Sequence, residues 1–188
     1  MKLNYLAAAA SLALTATAQP TGTCTPSKPD TFGIVAIHSG DAVQYSGFNA
    51  ALRSIFAGLP SQNATCDGTD DGFATFYIKD EALYLYGPSE TTQQLFVDRS
   101  GMGQGKIGYT VGDEQGPRNG ERTGWAINED NHLQFGGSDL IACPNSIDGA
   151  YSIWASAGVA NPGGNSDCIG IAARVEKESA PVSCTYST

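Results

Sequence analysis

Over most of its length the chain is a series of short runs in which apolar and polar residues alternate, each ended by a polar or glycine-rich turn. The clearest pair of runs, residues 95–98 and 106–111, is joined by a turn that holds Gly101, Gly103 and Gly105. A period of two, with β-branched and aromatic residues around a glycine turn, is typical of a β-hairpin. We therefore predict two antiparallel strands here, with shorter strands on both sides leading into the hairpin and returning over it.

Two further segments resemble each other. Residues 73–86 and residues 125–135 each place aromatic and aliphatic residues alternately on both sides of a polar turn. With 23 glycines and no convincing helix, the spacing predicts an all-β chain of about twelve short strands. An antiparallel β-sandwich or closed barrel is the fold that we expect. The faint repetition leaves a β-trefoil as the alternative.

The glycine turn also matches a nucleotide-binding motif letter for letter. Residues 103–108 read Gly-Gln-Gly-Lys-Ile-Gly, which fits G-x-G-x-x-G. That motif binds pyrophosphate because it leads from a strand into the N-terminus of a helix. Here Tyr-Thr-Val continues a strand after Gly108, and Ile107 stands where a P-loop needs Ser or Thr. We therefore predict a tight turn and no cofactor.

Residues 1–18 have the pattern of a secretory signal peptide. Lys2 supplies positive charge, residues 6–15 form an apolar core, and Ala-Thr-Ala precedes Gln19 as a small-residue cleavage site. The apolar run is too short to cross a bilayer. We therefore predict cleavage before Gln19 and a secreted protein without a membrane anchor.

The rest of the chain is predicted to contain two parts. Residues 19–30 hold three prolines and read as an extended segment. Residues 31–188 have a length that suits one β domain with its own core, stabilised by disulfides.

Charge excludes two classes of partner. The formal net charge is −9, whereas nucleic acid binding needs clustered lysines and arginines. An acidic surface is also repelled by anionic membranes. We therefore expect no nucleic acid partner and no membrane partner.

Five cysteines in a secreted chain predict disulfides. Cys66, Cys143, Cys168 and Cys184 lie in or beside the strand-rich region, and Cys24 lies alone in the extended segment. Four cysteines can pair in three ways, among which the sequence does not choose. We favour Cys143–Cys168 with Cys66–Cys184, while the other two pairings stay open. Cys24 is then free, or paired with another molecule.

Two polar loops carry candidate modification and metal chemistry. Asn63-Ala-Thr is an N-glycosylation sequon, so Asn63 is predicted to be a surface glycosylation site. Residues 67–72 read Asp-Gly-Thr-Asp-Asp-Gly, but their spacing does not match a calcium loop. We predict a solvated acidic turn and no metal site.

No pattern in the chain points to catalysis. There are two histidines, His38 and His132, and neither a nucleophile elbow nor zinc-ligand spacing accompanies them. Asp98, Asp139 and Asp148 can be nominated as a glycosidase pair, yet nothing distinguishes them from solvated carboxylates. We predict that no residue is catalytic.

Aromatic residues are the candidates for carbohydrate contact. Trp125, Tyr151 and Trp154 could form a sugar-stacking platform, although aromatics that alternate along strands usually belong to the core. Trp125 and Tyr151 are the two residues that we nominate.

The chain resembles a known family at several motifs. Residues 95–109, Gly124-Trp125, residues 142–149 and the ending Pro-Val-Ser-Cys-Thr-Tyr closely resemble the fungal cell wall protein PhiA family over roughly residues 32–186. The order of Gly-x-Ile-Gly, Gly-Trp and Leu-x-Phe-Gly before spaced cysteines is more distantly similar to the four-cysteine C-terminal domain of Pir cell-wall proteins. The glutamine-containing repeat by which Pir proteins are esterified to glucan is absent from this sequence.

The resemblance implies a secreted, wall-associated glycoprotein needed for phialide and conidium development and for stress protection, with relatives that are allergens. Our leading hypothesis is therefore a non-enzymatic structural or protective protein of the fungal wall. Its partners are expected to be wall polysaccharide or wall proteins, with Cys24 as a candidate disulfide link. A carbohydrate-binding module is the alternative, and a polysaccharide hydrolase is the weaker one.

Overall fold

The computed structural model describes residues 30–188. The predicted signal peptide, the extended segment up to residue 29 and Cys24 lie outside this range. The described residues form fifteen strands and three single-turn 3-10 helices. The strands are β1 (Thr31–Ile37), β2 (Phe48–Ala51), β3 (Ser54–Ala57), β4 (Thr65–Cys66), β5 (Phe76–Lys79), β6 (Ala82–Leu85), β7 (Gln93–Asp98), β8 (Lys106–Val111), β9 (Gly120–Glu121), β10 (Trp125–Ile127), β11 (His132–Phe135), β12 (Leu140–Cys143), β13 (Tyr151–Ala155), β14 (Ile169–Glu178) and β15 (Cys184–Thr185). The 3-10 turns are Ser89–Thr91, Ile147–Gly149 and Pro162–Gly164.

The all-β prediction is confirmed. β4, β9 and β15 have only two residues each, so twelve of the fifteen strands are longer, close to the predicted number. Every pairing is antiparallel. The 3-10 turns are too short to cross a membrane, and no helix of the described residues could do so.

Strand pairing follows a closed circuit. The order β1-β5-β6-β7-β8-β13-β12-β14 returns to β1, because β1 and β14 pair over seven residues. β3 pairs with both β8 and β13 where those two strands meet, and the β10–β11 hairpin extends the sheet from β14. The sandwich-or-barrel prediction therefore describes the arrangement. The pairings also contain the threefold repeat of the β-trefoil alternative, because the hairpins β2–β3, β7–β8 and β12–β13 meet where β3, β8 and β13 pair with one another. The bridge between Ala82 and Thr123, just before β10, completes a six-stranded ring of β1, β5, β6, β10, β11 and β14.

The predicted hairpin is present as β7 and β8. Its register pairs Gln93 with Val111 and Asp98 with Lys106. Gly105 is needed in its turn, since its φ is +95° and an added Cβ would lie 2.0 Å from the Ala155 carbonyl oxygen. That closeness lets the Ala155 N–H donate to the Gly105 carbonyl at 2.8 Å, which joins the turn to β13.

Buried and outward-facing side chains alternate along the strands, and the buried ones fill the interior. β7 buries every second residue, and β1 does so over most of its length, as expected for strands with one face on a core. The inward side chains of all the circuit strands belong to one apolar cluster. The void at the centre of this cluster is about 10 Å³, which is too small for an organic ligand. Any binding site of this fold therefore has to lie on its outer surface.

Two disulfides fasten the circuit. Cys66–Cys184 joins β4 to β15 across a separation of 118 residues, and Cys143–Cys168 joins the end of β12 to the segment before β14 across 25 residues. This is the pairing favoured above among the three. A disulfide stabilises chiefly by restricting the unfolded chain, and more so for a longer loop.

The C-terminal segment is bound to the core by one buried side chain. Gln93 donates from Nε2 to the Tyr186 carbonyl and accepts the Tyr186 N–H at Oε1, both at 2.9 Å. The Tyr186 ring is buried as well, and its hydroxyl accepts the Thr75 N–H at 2.9 Å. Burial raises the pKa of Tyr186 to about 12, so its phenol is protonated at neutral pH.

We expect Gln93→Ala to destabilise the protein by about 2–3 kcal/mol, because it leaves the buried N–H and C=O of Tyr186 without partners. The free energy of unfolding of the oxidised protein in urea measures the effect. Gln94→Ala is the matched control, since Gln94 is on the outer side of the same strand and its loss should change stability by less than about 1 kcal/mol. Equal losses in both variants would show that Gln93 does not hold the C-terminal segment.

Candidate functional site

The two predicted carbohydrate contacts have different surroundings. Trp125 is 2% exposed, and its ring packs edge-on against Phe135 with centroids 5.0 Å apart. Trp125 therefore belongs to the core, the usual place for aromatics that alternate along strands, and its nomination as a possible carbohydrate contact does not hold in this structure. Period-two alternation alone does not say which face of β10 meets the core. Its Nε1–H is buried and has no hydrogen-bond partner among the described residues.

Tyr151 is half-buried and already hydrogen-bonded. Its hydroxyl donates to Asp41 Oδ1 at 2.9 Å. The Val43 N–H and this hydroxyl lower the pKa of Asp41, while burial and the carboxylate raise the pKa of Tyr151. The contact ties β13 to the loop after β1, which accounts for Tyr151 without a ligand.

The candidate catalytic residues have local partners. His38 Nδ1 is 2.8 Å from the Gly170 carbonyl oxygen. Asp98 accepts the Ser100 N–H at 2.9 Å, and Asp139 accepts from Gln134 at 2.8 Å. These carboxylates stabilise turns and strand ends, where each is held by its own neighbours.

The carboxylates of the acidic loop, residues 67–72, likewise accept hydrogen bonds from other groups of the protein. Asp70 accepts the Gly72 N–H at 2.8 Å and Gln62 Nε2 at 3.0 Å, and Asp67 accepts the Ser183 N–H at 3.1 Å. Within residues 30–188 no group of three or more His, Cys, Asp or Glu side chains could hold a metal ion.

Asn63 lies on the surface between β3 and β4. It is exposed, has a φ of +50° and accepts the Ser61 hydroxyl at 3.2 Å. The side chain of Asn63 is therefore accessible from solvent.

A surface pocket with two aromatic rings lies across β7, β8 and β13, and we call it the Trp154 pocket. Its volume is about 340 Å³, within the range of small-ligand sites. It combines two half-buried aromatic rings with one lysine and one carboxylate. Its lining consists of Phe96, Asp98, Met102, Gly103, Lys106, Pro117, Trp154 and Gly163.

Strand register places the two rings. Phe96 points outward between the buried Leu95 and Val97, and it lies opposite Gly108 on β8. A Cβ at Gly108 would be 2.6 Å from the Phe96 ring, so this glycine makes room for the phenyl group. On the other side of β8, Trp154 lies opposite Lys106.

Lys106 lies beside Trp154 in the pocket. Its Nζ is 5.4 Å from the centre of the Trp154 ring and donates to Ser54 Oγ at 2.7 Å. It also lies directly opposite Asp98 in the β7–β8 register. Burial lowers the pKa of Lys106.

The indole is held by a residue of its own strand and by one loop. Trp154 Nε1 donates to Ser152 Oγ at 2.9 Å, and a Cβ at Gly163 would be 2.4 Å from the ring. The Gly163 N–H donates to Gln104 Oε1 at 2.8 Å, which fixes this loop to the β7–β8 turn. The pocket is therefore built before any ligand arrives.

The sequence indicated Trp154 as a possible member of an aromatic platform. It did not show that Phe96 and Lys106 line the same pocket. Phe96 does carry a local signal, since a large aromatic stands at an outward position of a strand. Pairing between β8 and β13 brings residues about fifty positions apart together, and no local pattern encodes that contact.

Comparison with known proteins gives a consistent result. The family model described as PhiA-like secreted protein matches residues 32–187. Cell wall protein phiA of Emericella nidulans is 74% identical over the full length of both chains, and that of Aspergillus fumigatus is 64% identical, also over the full length. Cell wall protein phiA of Arthroderma benhamiae is 42% identical over 88% of this chain and 91% of its own. No solved structure matches significantly. The chain therefore belongs to the PhiA-like family of secreted proteins, and it is a protein of the fungal cell wall.

Proposed function

We propose that this protein is a non-enzymatic structural and protective component of the wall, acting in phialide and conidium formation and in stress protection. The observation that supports it best is the closed strand circuit around a filled interior, fastened by two disulfides. Such a body resists unfolding and proteolysis outside the cell, because the disulfides restrict its unfolded state. The local roles of Asp98, Asp139 and His38 also support a protein without catalysis.

Deletion of the protein should reduce phialide and conidium number and survival under heat or oxidant, and the wild-type chain should restore them. A chain with Cys66→Ala and Cys184→Ala should restore them only in part, since it loses the bridge that closes the longer loop. Replacement of Asp139 by Asn should restore them fully, since Asp139 is a candidate catalytic acid that lies outside the Trp154 pocket and is exposed. Release of sugars from glucan, chitin or mannan by the purified protein, abolished by Asp98→Asn, would overturn the non-enzymatic assignment.

Asn63 is proposed to carry an N-glycan. Mass spectrometry of the secreted protein should show a glycan on the peptide that contains Asn63, and treatment with an N-glycosidase should remove it. Asn63→Gln should abolish the added mass, whereas Asn161→Gln should not, because Pro162 and Gly163 follow Asn161 and make no sequon. An unmodified Asn63 in protein secreted by the fungus would contradict the proposal.

Cys24 is proposed to link the protein to a wall partner. Cleavage before Gln19 keeps Cys24 in the mature chain, and the other four cysteines form the two disulfides of the β body. Sequential extraction of walls should then release the protein with reductant after hot detergent has failed. Cys24→Ser should move it into the detergent extract or the medium, whereas Ser27→Ala, three residues away, should leave it in the reductant extract. Release of the wild-type protein by detergent alone would contradict the link.

Carbohydrate binding is the second candidate function. The Trp154 pocket favours it, because aromatic rings beside polar groups on a rigid surface suit a ligand with both apolar and hydroxyl faces.

A further inference from the structure

We propose that the Trp154 pocket binds a neutral β-linked polysaccharide chain of the wall, with Phe96 and Trp154 against the faces of its pyranose rings and Lys106 and Asp98 at its hydroxyls. The shared chemistry is a pyranose with equatorial substituents, which presents C–H bonds on its faces and hydroxyls around its rim. β-Glucan and chitin both have it. The inference rests on the proposed function in one respect, because the ligand is assumed to be a polysaccharide of the cell wall.

The spacing of the two rings suits a chain of sugars. Phe96 is on β7 and Trp154 is on β13, and β8 lies between them. Neighbouring strands are separated by about 4.8 Å, so β7 and β13 lie about 10 Å apart. Two stacking surfaces on those strands can meet two different rings of one chain, whereas a single ring would reach only one of them.

The charge of the pocket favours a neutral ligand. The lining carries one cationic side chain, Lys106, and one carboxylate, Asp98, so its formal charges cancel. The protein as a whole has a formal net charge of −9, which repels polyanions at longer range. A hydroxyl-rich chain can instead accept from the ammonium group and donate to the carboxylate.

Trp154 is prepared for stacking. Its one polar atom, Nε1, is satisfied within the protein by Ser152, and Gly163 packs against its ring. The side chain is nevertheless partly exposed and lines the pocket. A ring that is already fixed loses little conformational freedom on binding, so the contact gains affinity from preorganisation.

The test uses the mature oxidised protein and isothermal titration with laminarihexaose and chitohexaose, which separate β-glucan from chitin as the source. Maltohexaose and polygalacturonate are the α-linked and anionic comparisons. We expect at least one β-linked hexasaccharide to bind, and Trp154→Ala to weaken its binding by about tenfold or more. Trp154→Tyr should retain binding within about threefold, since it keeps a stacking ring. The matched control is Tyr45→Ala, because Tyr45 is 70% exposed and lies outside the pocket.

A second measurement does not depend on any substitution in the pocket. The chain has two tryptophans, so an ¹⁵N spectrum contains two indole signals. The signal of Trp154 should shift on titration with the bound hexasaccharide, whereas that of the buried Trp125 should not. If Trp154→Ala fails to fold, this shift and the Trp154→Tyr variant still decide the question.

Three results would overturn the inference. These are no binding of either β-linked sugar, equal binding of maltohexaose or polygalacturonate, and β-linked binding that leaves the Trp154 signal unmoved. None of them touches the proposed structural role, which is judged by conidiation and stress survival of the deletion strain. Conversely, a deletion without phenotype would remove that role and leave sugar binding intact.

Discussion

Pairing between β1 and β14 is the interaction on which the rest of the structure depends. Seven consecutive residue pairs, from Thr31–Glu178 to Ile37–Ala172, join the first strand of the described chain to one of its last. The pairing closes the strand circuit, so the strands of the circuit have a neighbour on both sides and do not present open edges to other chains. Closure also fixes which side of each strand faces inward.

The separation of inward-facing from outward-facing side chains determines where the protein can bind a ligand. The inward side chains fill the interior almost completely, so the fold has no room for a substrate or cofactor at its centre. The outward side chains are free to differ, and at β7, β8 and β13 they bring two aromatic rings and a lysine into one pocket. Gly105, Gly108 and Gly163 permit this assembly, because a side chain at any of them would collide with a neighbour.

Local patterns in the sequence predicted the local parts of the fold. The β7–β8 hairpin was predictable because its strands are adjacent in the chain and its turn contains glycine. Pairings such as β1 with β14 and β8 with β13 are not encoded in any short window, since they join segments far apart in sequence. Trp125 shows a second limit. Alternation predicted a strand there, but only the packing of β10 on the core shows that the indole points inward. The sequence did not identify Phe96 as a pocket residue. Its role depends on Gly108, which lies opposite it on β8, and on Trp154, which lies on β13 at the other side of β8.

The central claim is that β1–β14 pairing closes a single cooperative body. Native-state hydrogen exchange of the oxidised protein tests this claim most directly. The amides that bond β1 to β14 should exchange as slowly as those of the β7–β8 hairpin, since both should open only with global unfolding. If β1 and β14 instead exchanged orders of magnitude faster than β7 and β8, the circuit would open while the rest stayed folded. That result would contradict a closed body and the protective role built on it.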